Sequence, residues 1–207
     1  MKVNEIFFSV EGEGKRPGQL AAFIRLTGCN LRCAYCDTKY SYFDGQEIGA
    51  KEIADNVKNY RNVTLTGGEP LLQDCRELLS QLRSHEVNIE TNGSIPLDEY
   101  LNFENVFFTM DFKCYSSKTA DAMIYSNLNL LRAHDVLKFV VGNAADLEQA
   151  QDICEEFKPK ALTYISPVFG AIEPVQIVEF MKRQHIENWR LQVQLQKIIW
   201  SPEERGV

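Results

Sequence analysis

The chain has 207 residues, of which 44% are hydrophobic and 25% charged, a composition typical of one globular domain, here residues 1–207. Its formal net charge of −7, without a dense run of Lys and Arg, argues against tight nucleic-acid binding. No apolar run approaches the ~20 residues of a membrane span, and residues 1–5 lack a signal-peptide pattern. We therefore expect a cytoplasmic protein with no membrane association.

Eight short runs have the composition of β-strands, and amphipathic helical patterns separate several of them. The predicted strands are residues 4–9, 21–26, 62–66, 87–91, 106–111, 136–141, 161–165 and 190–193. The predicted helices are residues 71–83, about 145–157, and a third that starts after Ala171 with Pro174 in its first turn. This alternation predicts an α/β fold with a mostly parallel sheet, whose ligands collect at the carboxyl ends of the strands.

Five loops follow predicted strands and are candidate ligand loops: residues 27–38, 67–70, 92–93, 111–117 and 166–170. The first contains Cys29, Cys33 and Cys36 with the spacing C-x3-C-x2-C, and three thiolates this close can hold one soft metal centre. A structural zinc site is normally closed by four ligands. An iron–sulfur cubane on three cysteines instead keeps one iron open for a substrate or cofactor.

A fourth ligand from elsewhere in the chain stays an alternative, either a histidine or one of Cys75, Cys114 and Cys154. Cys75 and Cys154 fall on apolar helix faces, which favours core packing for both. Cys114 is left open because it lies in a candidate ligand loop.

Two further loops carry glycine. In Thr66-Gly67-Gly68-Glu69-Pro70, paired glycines permit close approach of the backbone to a ligand. Residues 90–93, Glu-Thr-Asn-Gly, fit either a plain turn or a second ligand loop.

The cysteine spacing, with Tyr35 before the last cysteine and a Gly-Gly-Glu sequence downstream, resembles the signature of the radical S-adenosylmethionine (SAM) superfamily. More specifically, the chain resembles the 7-carboxy-7-deazaguanine synthase family of queuosine and deazapurine biosynthesis. The resemblance runs from residue 3 to about 207 and rests on Glu5-Ile6-Phe7, Glu11-Gly12-Glu13-Gly14, Phe23-Ile24-Arg25, Cys36-Asp37-Thr38, residues 189–194 and Lys197.

The resemblance implies conversion of 6-carboxy-5,6,7,8-tetrahydropterin to 7-carboxy-7-deazaguanine with loss of ammonia. It implies that a reduced [4Fe-4S] cluster splits SAM to a 5′-deoxyadenosyl radical, which abstracts the hydrogen at C6 of the pterin and later returns it. The ring contracts in between, and the protein positions the reactants and excludes water. It also implies a homodimer and an electron donor such as flavodoxin or ferredoxin.

The family's site residues are carried over position by position. Cys29, Cys33 and Cys36 would hold the cluster, and Thr38 would bind Mg2+, which prefers oxygen ligands. The alternative, less favoured, is that Thr38 caps a turn. The substrate would contact Val10, Glu11, Gly12, Arg25, Thr66 and Pro202. SAM would contact Gly68, Glu69, Asp111, Phe112, Lys113, Ser166, Pro167, Val168 and Phe169.

Arg25 would pair with the substrate carboxylate through two parallel hydrogen bonds; the alternative is a surface arginine on a strand. Gln196 stands where many family members have histidine in Q-x-H-K, and an amide can hydrogen-bond but cannot titrate near neutral pH. Little helical pattern occurs around residues 94–106, so we predict a modified, incomplete (β/α) barrel.

Two other functions remain open from the sequence. A radical SAM activase that installs a glycyl radical in a partner protein would share the cysteine and glycine loops. A non-enzymatic zinc or Fe-S electron-transfer module would share only the cysteines.

Overall fold

The computed structural model describes all 207 residues and contains one sheet of nine strands. The strands are β1 (Lys2–Val10), β2 (Leu20–Leu26), β3 (Gln46–Glu47), β4 (Asn62–Gly67), β5 (Glu86–Thr91), β6 (Val106–Lys113), β7 (Val136–Val141), β8 (Leu162–Pro167) and β9 (Trp189–Leu191). Their order across the sheet is β3-β1-β2-β4-β5-β6-β7-β8-β9. All eight predicted strands are present, and only the two-residue β3, which has no apolar periodicity, was missed.

The sheet is parallel over most of its width. β1 pairs antiparallel with β2 and β3, whereas every neighbouring pair from β2 to β9 is parallel. The outer strands β3 and β9 do not pair with each other, so the barrel is incomplete as the sequence indicated. Between β5 and β6 there is only a single 3-10 turn, Asp98–Tyr100, which agrees with the weak helical pattern of that segment.

Six α-helices connect or flank the strands: α1 (Ala50–Val57), α2 (Arg76–Gln81), α3 (Ser126–Leu130), α4 (Ala144–Phe157), α5 (Pro174–Arg183) and α6 (Gln196–Ile199). Five 3-10 turns cover Lys39–Tyr42, Pro70–Leu72, Asp98–Tyr100, Tyr115–Ser117 and Ala120–Ala122. α4 and α5 agree with their predictions; α5 starts at Pro174 behind a capping box of Glu173 and Gln176. None of the helices is both long and apolar enough to cross a membrane.

The predicted helix over residues 71–83 is wrong in its first half. Gln73 has extended backbone angles, which end the 3-10 turn at Leu72. The Asp74 carboxylate then accepts from the backbone N of Arg76 at 3.1 Å, so a side chain occupies a donor that a continuous helix would use. The helix α2 therefore begins only at Arg76.

The two faces of the sheet have different chemistry. One face contributes to a continuous core of 39 buried hydrophobic residues, together with the helices. Because successive side chains on a strand point to opposite faces, the alternate residues of the same strands point to the other face. On β6, for example, Phe108, Met110 and Phe112 are buried in the core, while Asp111 and Lys113 line a cavity.

Candidate active site

A cavity of about 710 Å³ lies against the polar side of the sheet and is lined by residues from most strands and from the loops that follow them. It brings together most of the residues that the sequence singled out: Val10, Glu11, Gly12, Arg25, Cys29, Cys33, Cys36, Thr38, Thr66, Gly68, Asp111, Lys113, Pro167, Val168, Phe169 and Pro202. Loops distant in the chain thus converge at the carboxyl ends of parallel strands, as expected for this architecture.

Three residues predicted to contact SAM are not among those that line the cavity: Phe112, Ser166 and Glu69. Their side chains are buried, and a contact of their backbone with SAM stays a prediction. Phe112 is 1% exposed and points into the core, where it packs against Tyr125 and Phe139. Ser166 is likewise 1% exposed on β8. The side-chain alternation of β6 turns Phe112 away from the cavity. Ser166, by contrast, is aligned with the cavity-lining Val140, and its buried Oγ has no hydrogen-bond partner in the protein.

Glu69 is the third of these residues, and its side chain is fully buried. Its Oε1 accepts from the backbone N of Leu71 at 3.0 Å and from Thr91 Oγ1 at 2.9 Å, and its Oε2 accepts from the backbone N of Asn92 at 2.6 Å. Burial raises the pKa of this carboxyl to about 7, against the opposing effect of these donors. Glu69 therefore connects the loop of residues 67–70, the glycine loop, to the end of β5 through hydrogen bonds.

The three clustered cysteines line the cavity, and hydrogen-bond donors lie close to two of their sulfur atoms. Their sulfurs have nearby donors: the backbone N of Leu31 lies 3.4 Å from Cys29 Sγ, and Thr119 Oγ1 lies 3.4 Å from Cys33 Sγ. Lys113 lines the same cavity, and its pKa is raised by Asp111 and, to a smaller extent, by Cys33 and Cys36. Donors and a cation around sulfur stabilise thiolates and tune the clusters that they bind.

The other cysteines lie elsewhere. Cys75 and Cys114 are fully buried in the core, and Cys154 packs against it from α4; none lines the cavity. The predicted core packing of Cys75 and Cys154 agrees with this placement. No three His, Cys, Asp or Glu side chains converge closely enough to enclose a single metal ion.

Gly67 and Gly68 allow two loops to touch. A Cβ on Gly67 would lie 2.2 Å from Leu26 O, and one on Gly68 would lie 2.2 Å from Gly28 O and 2.7 Å from Cys29 Cβ. The backbone N of Glu69 donates to Gly28 O at 2.8 Å. The glycine loop therefore packs directly against the start of the cysteine loop, residues 27–38. Gly68 also lines the cavity.

Buried charges form a chain along the cavity wall. Lys138 lies 3.5 Å from both Glu13 Oε2 and Asp111 Oδ2, and Lys113 lies 3.0 Å from Asp111 Oδ2. Burial alone would lower the pKa of each lysine, but the adjacent carboxylates outweigh it and raise both pKa values. This direction favours the cationic form of both lysines, which pair with the carboxylates.

Three buried oxygens in this wall have no partner in the protein: Glu13 Oε1, Asp111 Oδ1 and Gln196 Oε1. Buried polar atoms normally have a hydrogen-bond partner, so this part of the cavity suits a ligand rich in N–H donors. The unpartnered oxygen of Asp111, which lies on β6 with Lys113, fits a ligand with an ammonium group, as the methionine part of SAM has.

Arg25 lines the cavity from β2 and is largely buried, with 15% of its side chain exposed. Its Nε donates to Glu5 Oε1 at 2.8 Å, and Tyr40 O–H donates to the same oxygen at 3.0 Å. Its guanidinium lies over the rings of Phe7 and Tyr40. Only Nε is engaged within the protein, which leaves the two terminal nitrogens for a ligand carboxylate.

Glu11 lines the cavity, but its carboxylate is already engaged by side chains of the protein. Its Oε1 lies 2.7 Å from Arg16 Nη2 and accepts from Thr64 O–H, and its backbone N and O bond Gln19 O and Gly18 N at 2.8 Å each. Burial raises the pKa of Glu11, partly opposed by Arg16. Its observed role is to fix the loop after β1.

The C-terminal part closes the cavity. Gln192 bonds both backbone groups of Gly14, at 2.7 and 2.9 Å, and the backbone N of Leu195 donates to Gly12 O at 3.1 Å. A Cβ on Gly12 would overlap the Gln196 side chain. These contacts explain why the sequence patterns near residues 11–14 and 192–197 occur together.

Thr38 follows the cysteine loop, and its Oγ1 donates to Asp37 Oδ1 at 2.8 Å. Asp37 Oδ2 lies 3.5 Å from Lys197 Nζ, and these contacts with Thr38 and Lys197 outweigh desolvation and lower the pKa of Asp37. Thr38 also precedes a 3-10 turn but makes no side-chain cap bond. Thr38 is among the residues that line the cavity.

Sequence reasoning missed Lys138, Tyr40 and the role of Glu13. Glu90, whose Oε2 accepts from Thr66 O–H at 2.8 Å, was seen only as part of a turn. Lys138 and Glu90 each interrupt an apolar strand with a charge, and that interruption is the signal that would have found them. Tyr40 carried no such signal.

Comparison with known proteins agrees with this geometry. Residues 23–163 match the model of the radical SAM superfamily. The chain is 48% identical to a 7-carboxy-7-deazaguanine synthase from Clostridium acetobutylicum, covering 100% of this chain and 99% of the relative. It is 38% identical to one from Methanospirillum hungatei, covering 98% and 86%.

The crystal structure of QueE from Escherichia coli has the same fold, with a TM-score of 0.76, 23% identity and 93% of each chain covered. The superfamily's cofactors are a [4Fe-4S] cluster and SAM, and the three cysteines and the acceptor-rich wall fit both. The chain therefore belongs to the radical SAM superfamily and, within it, to the 7-carboxy-7-deazaguanine synthase family.

Proposed function

We propose that this protein converts 6-carboxy-5,6,7,8-tetrahydropterin to 7-carboxy-7-deazaguanine and ammonia. One observation carries the proposal: a single cavity holds the three cysteines on one wall and, on another, an arginine whose terminal nitrogens are free. The first feature suits the cluster, and the second suits a substrate with a carboxylate.

The [4Fe-4S] cluster and SAM supply the radical chemistry when bound. In the proposal, Cys29, Cys33 and Cys36 hold the cluster, while Gly68 and Asp111 line the place of SAM beside it. Asp111 offers its unpartnered oxygen to the amino group of SAM, and Lys113 balances the charge of the thiolates.

The protein's own groups orient the pterin. Arg25 takes the carboxylate, and Thr66 and the backbone at Val10 and Gly12 line the same side. The free acceptors of Glu13 and Gln196 face the region where the N–H groups of the pterin ring would lie. Thr38 contributes its hydroxyl to Mg2+, with substrate oxygens and water as the remaining ligands, and Pro202 contacts the substrate from the rim.

The test is the anaerobically reconstituted protein with SAM, a chemical reductant and the carboxytetrahydropterin. We expect 7-carboxy-7-deazaguanine and ammonia in equal amounts, since the product is the substrate less one NH3. Absence of the deazapurine with the cluster intact would reject the proposal. A glycyl-radical signal in an added partner protein would then favour the activase, and bound zinc without iron would favour a non-catalytic module.

Arg25→Ala separates binding from chemistry in the same assay. We expect KM for the pterin to rise by about 10- to 100-fold, because a charge-assisted pair with the carboxylate is lost. Arg61→Ala is the matched control, since 86% of that arginine side chain is exposed and it lies outside the cavity.

The assembly and the electron supply are part of the proposal through the family resemblance alone. We expect a homodimer in solution, measured by light scattering, and turnover with reduced flavodoxin or ferredoxin in place of dithionite. A monomer with full activity would reject the dimer without affecting the reaction.

A further inference from the structure

The last seven residues, 201–207, all line the cavity and run along its rim. The backbone N of Glu204 donates to Ser201 O at 2.9 Å, which turns the segment back toward the sheet. Gly206, at φ +71, lies over β1: a Cβ on it would be 3.9 Å from Glu5 Oε2 and from Phe7 Cβ. This tail segment, residues 201–207, therefore crosses the wall that contains Arg25.

Aromatic rings and guanidinium groups are stacked on that wall. Phe7 stacks on Phe23 at 4.7 Å, and the Arg25 guanidinium lies 5.3 Å from the Phe7 centroid and 5.7 Å from that of Tyr40. The Arg205 guanidinium lies 4.2 Å from the same Tyr40 centroid. The two guanidinium carbons are therefore separated by no more than the sum of 4.2 and 5.7 Å.

Arg25 has an ion-pair partner within the protein, whereas Arg205 has none. Glu5 pairs with Arg25 and accepts from Tyr40, but Arg205 forms no ion pair and donates no hydrogen bond, even to its neighbours Glu203 and Glu204. A guanidinium stacked flat on a ring keeps its N–H edge free for a planar anion. Glu5 is engaged with Arg25 and Tyr40, so the guanidinium of Arg205 stays available for a further anion.

We propose that Arg205 is a second carboxylate-binding residue of the substrate site, carried there by the tail segment and oriented by Tyr40. This inference rests on the proposed function and deepens it: the site selects pterins that bear a carboxylate at C6. A carboxylate has two oxygens with free lone pairs, so one oxygen can accept from Arg25 and the other from Arg205.

Steady-state kinetics of the reconstituted holoenzyme test this directly with Arg205→Ala and Arg205→Lys. We expect KM for the carboxytetrahydropterin to rise roughly ten-fold in Arg205→Ala, with kcat retained, because Arg205 binds a part of the substrate that does not react. Arg205→Lys keeps the positive charge but lacks the paired N–H groups of a guanidinium, so we expect its KM to lie between those of the wild type and Arg205→Ala. Arg183→Ala, which removes an arginine that packs on Phe180 of α5 outside the cavity, is the control.

A binding measurement needs no turnover. The affinities of 6-carboxypterin and of pterin without the carboxylate are measured by fluorescence titration of wild-type and Arg205→Ala holoenzyme. We expect Arg205→Ala to lose affinity for 6-carboxypterin only. Equal losses for both pterins, or no loss, would overturn the inference. Failure of the wild-type product assay, with this selective loss intact, would reject the reaction but not the carboxylate site.

Trypsin gives a third readout, since cleavage after Arg205 releases Gly206-Val207, which mass spectrometry follows. We expect 6-carboxypterin to slow this cleavage in the wild-type protein and pterin to leave it unchanged. Cleavage that neither pterin alters would count against contact between ligand and tail.

Discussion

At the residue scale, the environment of each cysteine separates those in the site from those in the core. Cys29, Cys33 and Cys36 are partly exposed and line the cavity, whereas Cys75 and Cys114 are fully buried. A thiol buried in an apolar environment has a raised pKa and is chemically inert, and burial raises the pKa of Cys75 to about 12. Spacing along the chain and exposure in the fold thus point to the same three residues.

Cys33→Ala removes one of the three thiolates. We expect loss of the iron–sulfur absorption and of all product formation, because two cysteines do not hold the cluster. Iron content and the visible spectrum after anaerobic reconstitution measure this. Cys154→Ala, on α4 outside the cavity, is the matched control and should keep iron and activity; equal iron content in the two variants would contradict the assignment.

Thr38→Ala tests the magnesium hypothesis without touching the cluster. The hydroxyl donates to Asp37 and keeps its lone pairs free, so its removal deletes one oxygen ligand. We expect normal iron content and loss of the stimulation of product formation by Mg2+, with Thr38→Ser retaining it. An unaltered magnesium titration in Thr38→Ala would show that the ion binds elsewhere or not at all.

At the element scale, the loops at the ends of β2, β4 and β5 are interlocked and do not act singly. The glycine loop contacts the cysteine loop through Gly68 and Gly28, and Glu69 binds the end of β5. Parallel strands make this possible because their carboxyl ends meet at one edge. A change in the glycine loop should therefore disturb the cysteine loop.

Gly68→Ala places a methyl group 2.2 Å from Gly28 O, a distance that only movement of one loop can relieve. We expect a loss of about 3 kcal/mol of unfolding free energy and a large drop in bound iron. Thermal denaturation and iron analysis measure the two effects. Gly49→Ala, whose new methyl group meets nothing within 4 Å, should change neither; similar melting temperatures for both variants would refute the interlock.

At the scale of the whole molecule, buried polar contacts hold the loop after β1 against the sheet. Arg16, only 4% exposed, donates from Nη1 to Asn62 Oδ1 at 3.2 Å and Glu86 O at 2.9 Å. Its Nη2 lies 2.7 Å from Glu11 Oε1. This one side chain connects the loop with the amino ends of β4 and β5, and Gln192 binds the same loop from the C-terminal side.

Arg16→Ala leaves Glu11 buried without its partner. Removal of one member of a buried ion pair costs about 3–5 kcal/mol, so we expect the melting temperature to fall by roughly 10 °C for a chain of this size. Chemical denaturation gives the free energy. Arg61→Ala removes an exposed arginine and should stay within about 0.5 kcal/mol of the wild type; equal costs for the two variants would mean that the buried pair is not a structural element.

The sequence by itself determined the strands, the parallel sheet and the three cysteines. Strand periodicity and C-x3-C-x2-C spacing are local properties, and local properties can be read from one chain. The consecutive glycines Gly67 and Gly68 are also a local signal. They indicate that the backbone approaches another group closely, but they do not identify that group. Residue types in short motifs were thus enough to indicate both the family and its cofactors.

Only the tertiary structure decided which way individual side chains point and what they meet. Asp111 faces the cavity and its neighbour Phe112 the core, because successive residues on a strand alternate. The side chain of Glu69 points inward, where it accepts a hydrogen bond from the buried backbone N of Asn92, 23 positions along the chain. The meeting of Arg205 with Tyr40 depends on contacts between distant segments, and such contacts leave no pattern in either segment alone.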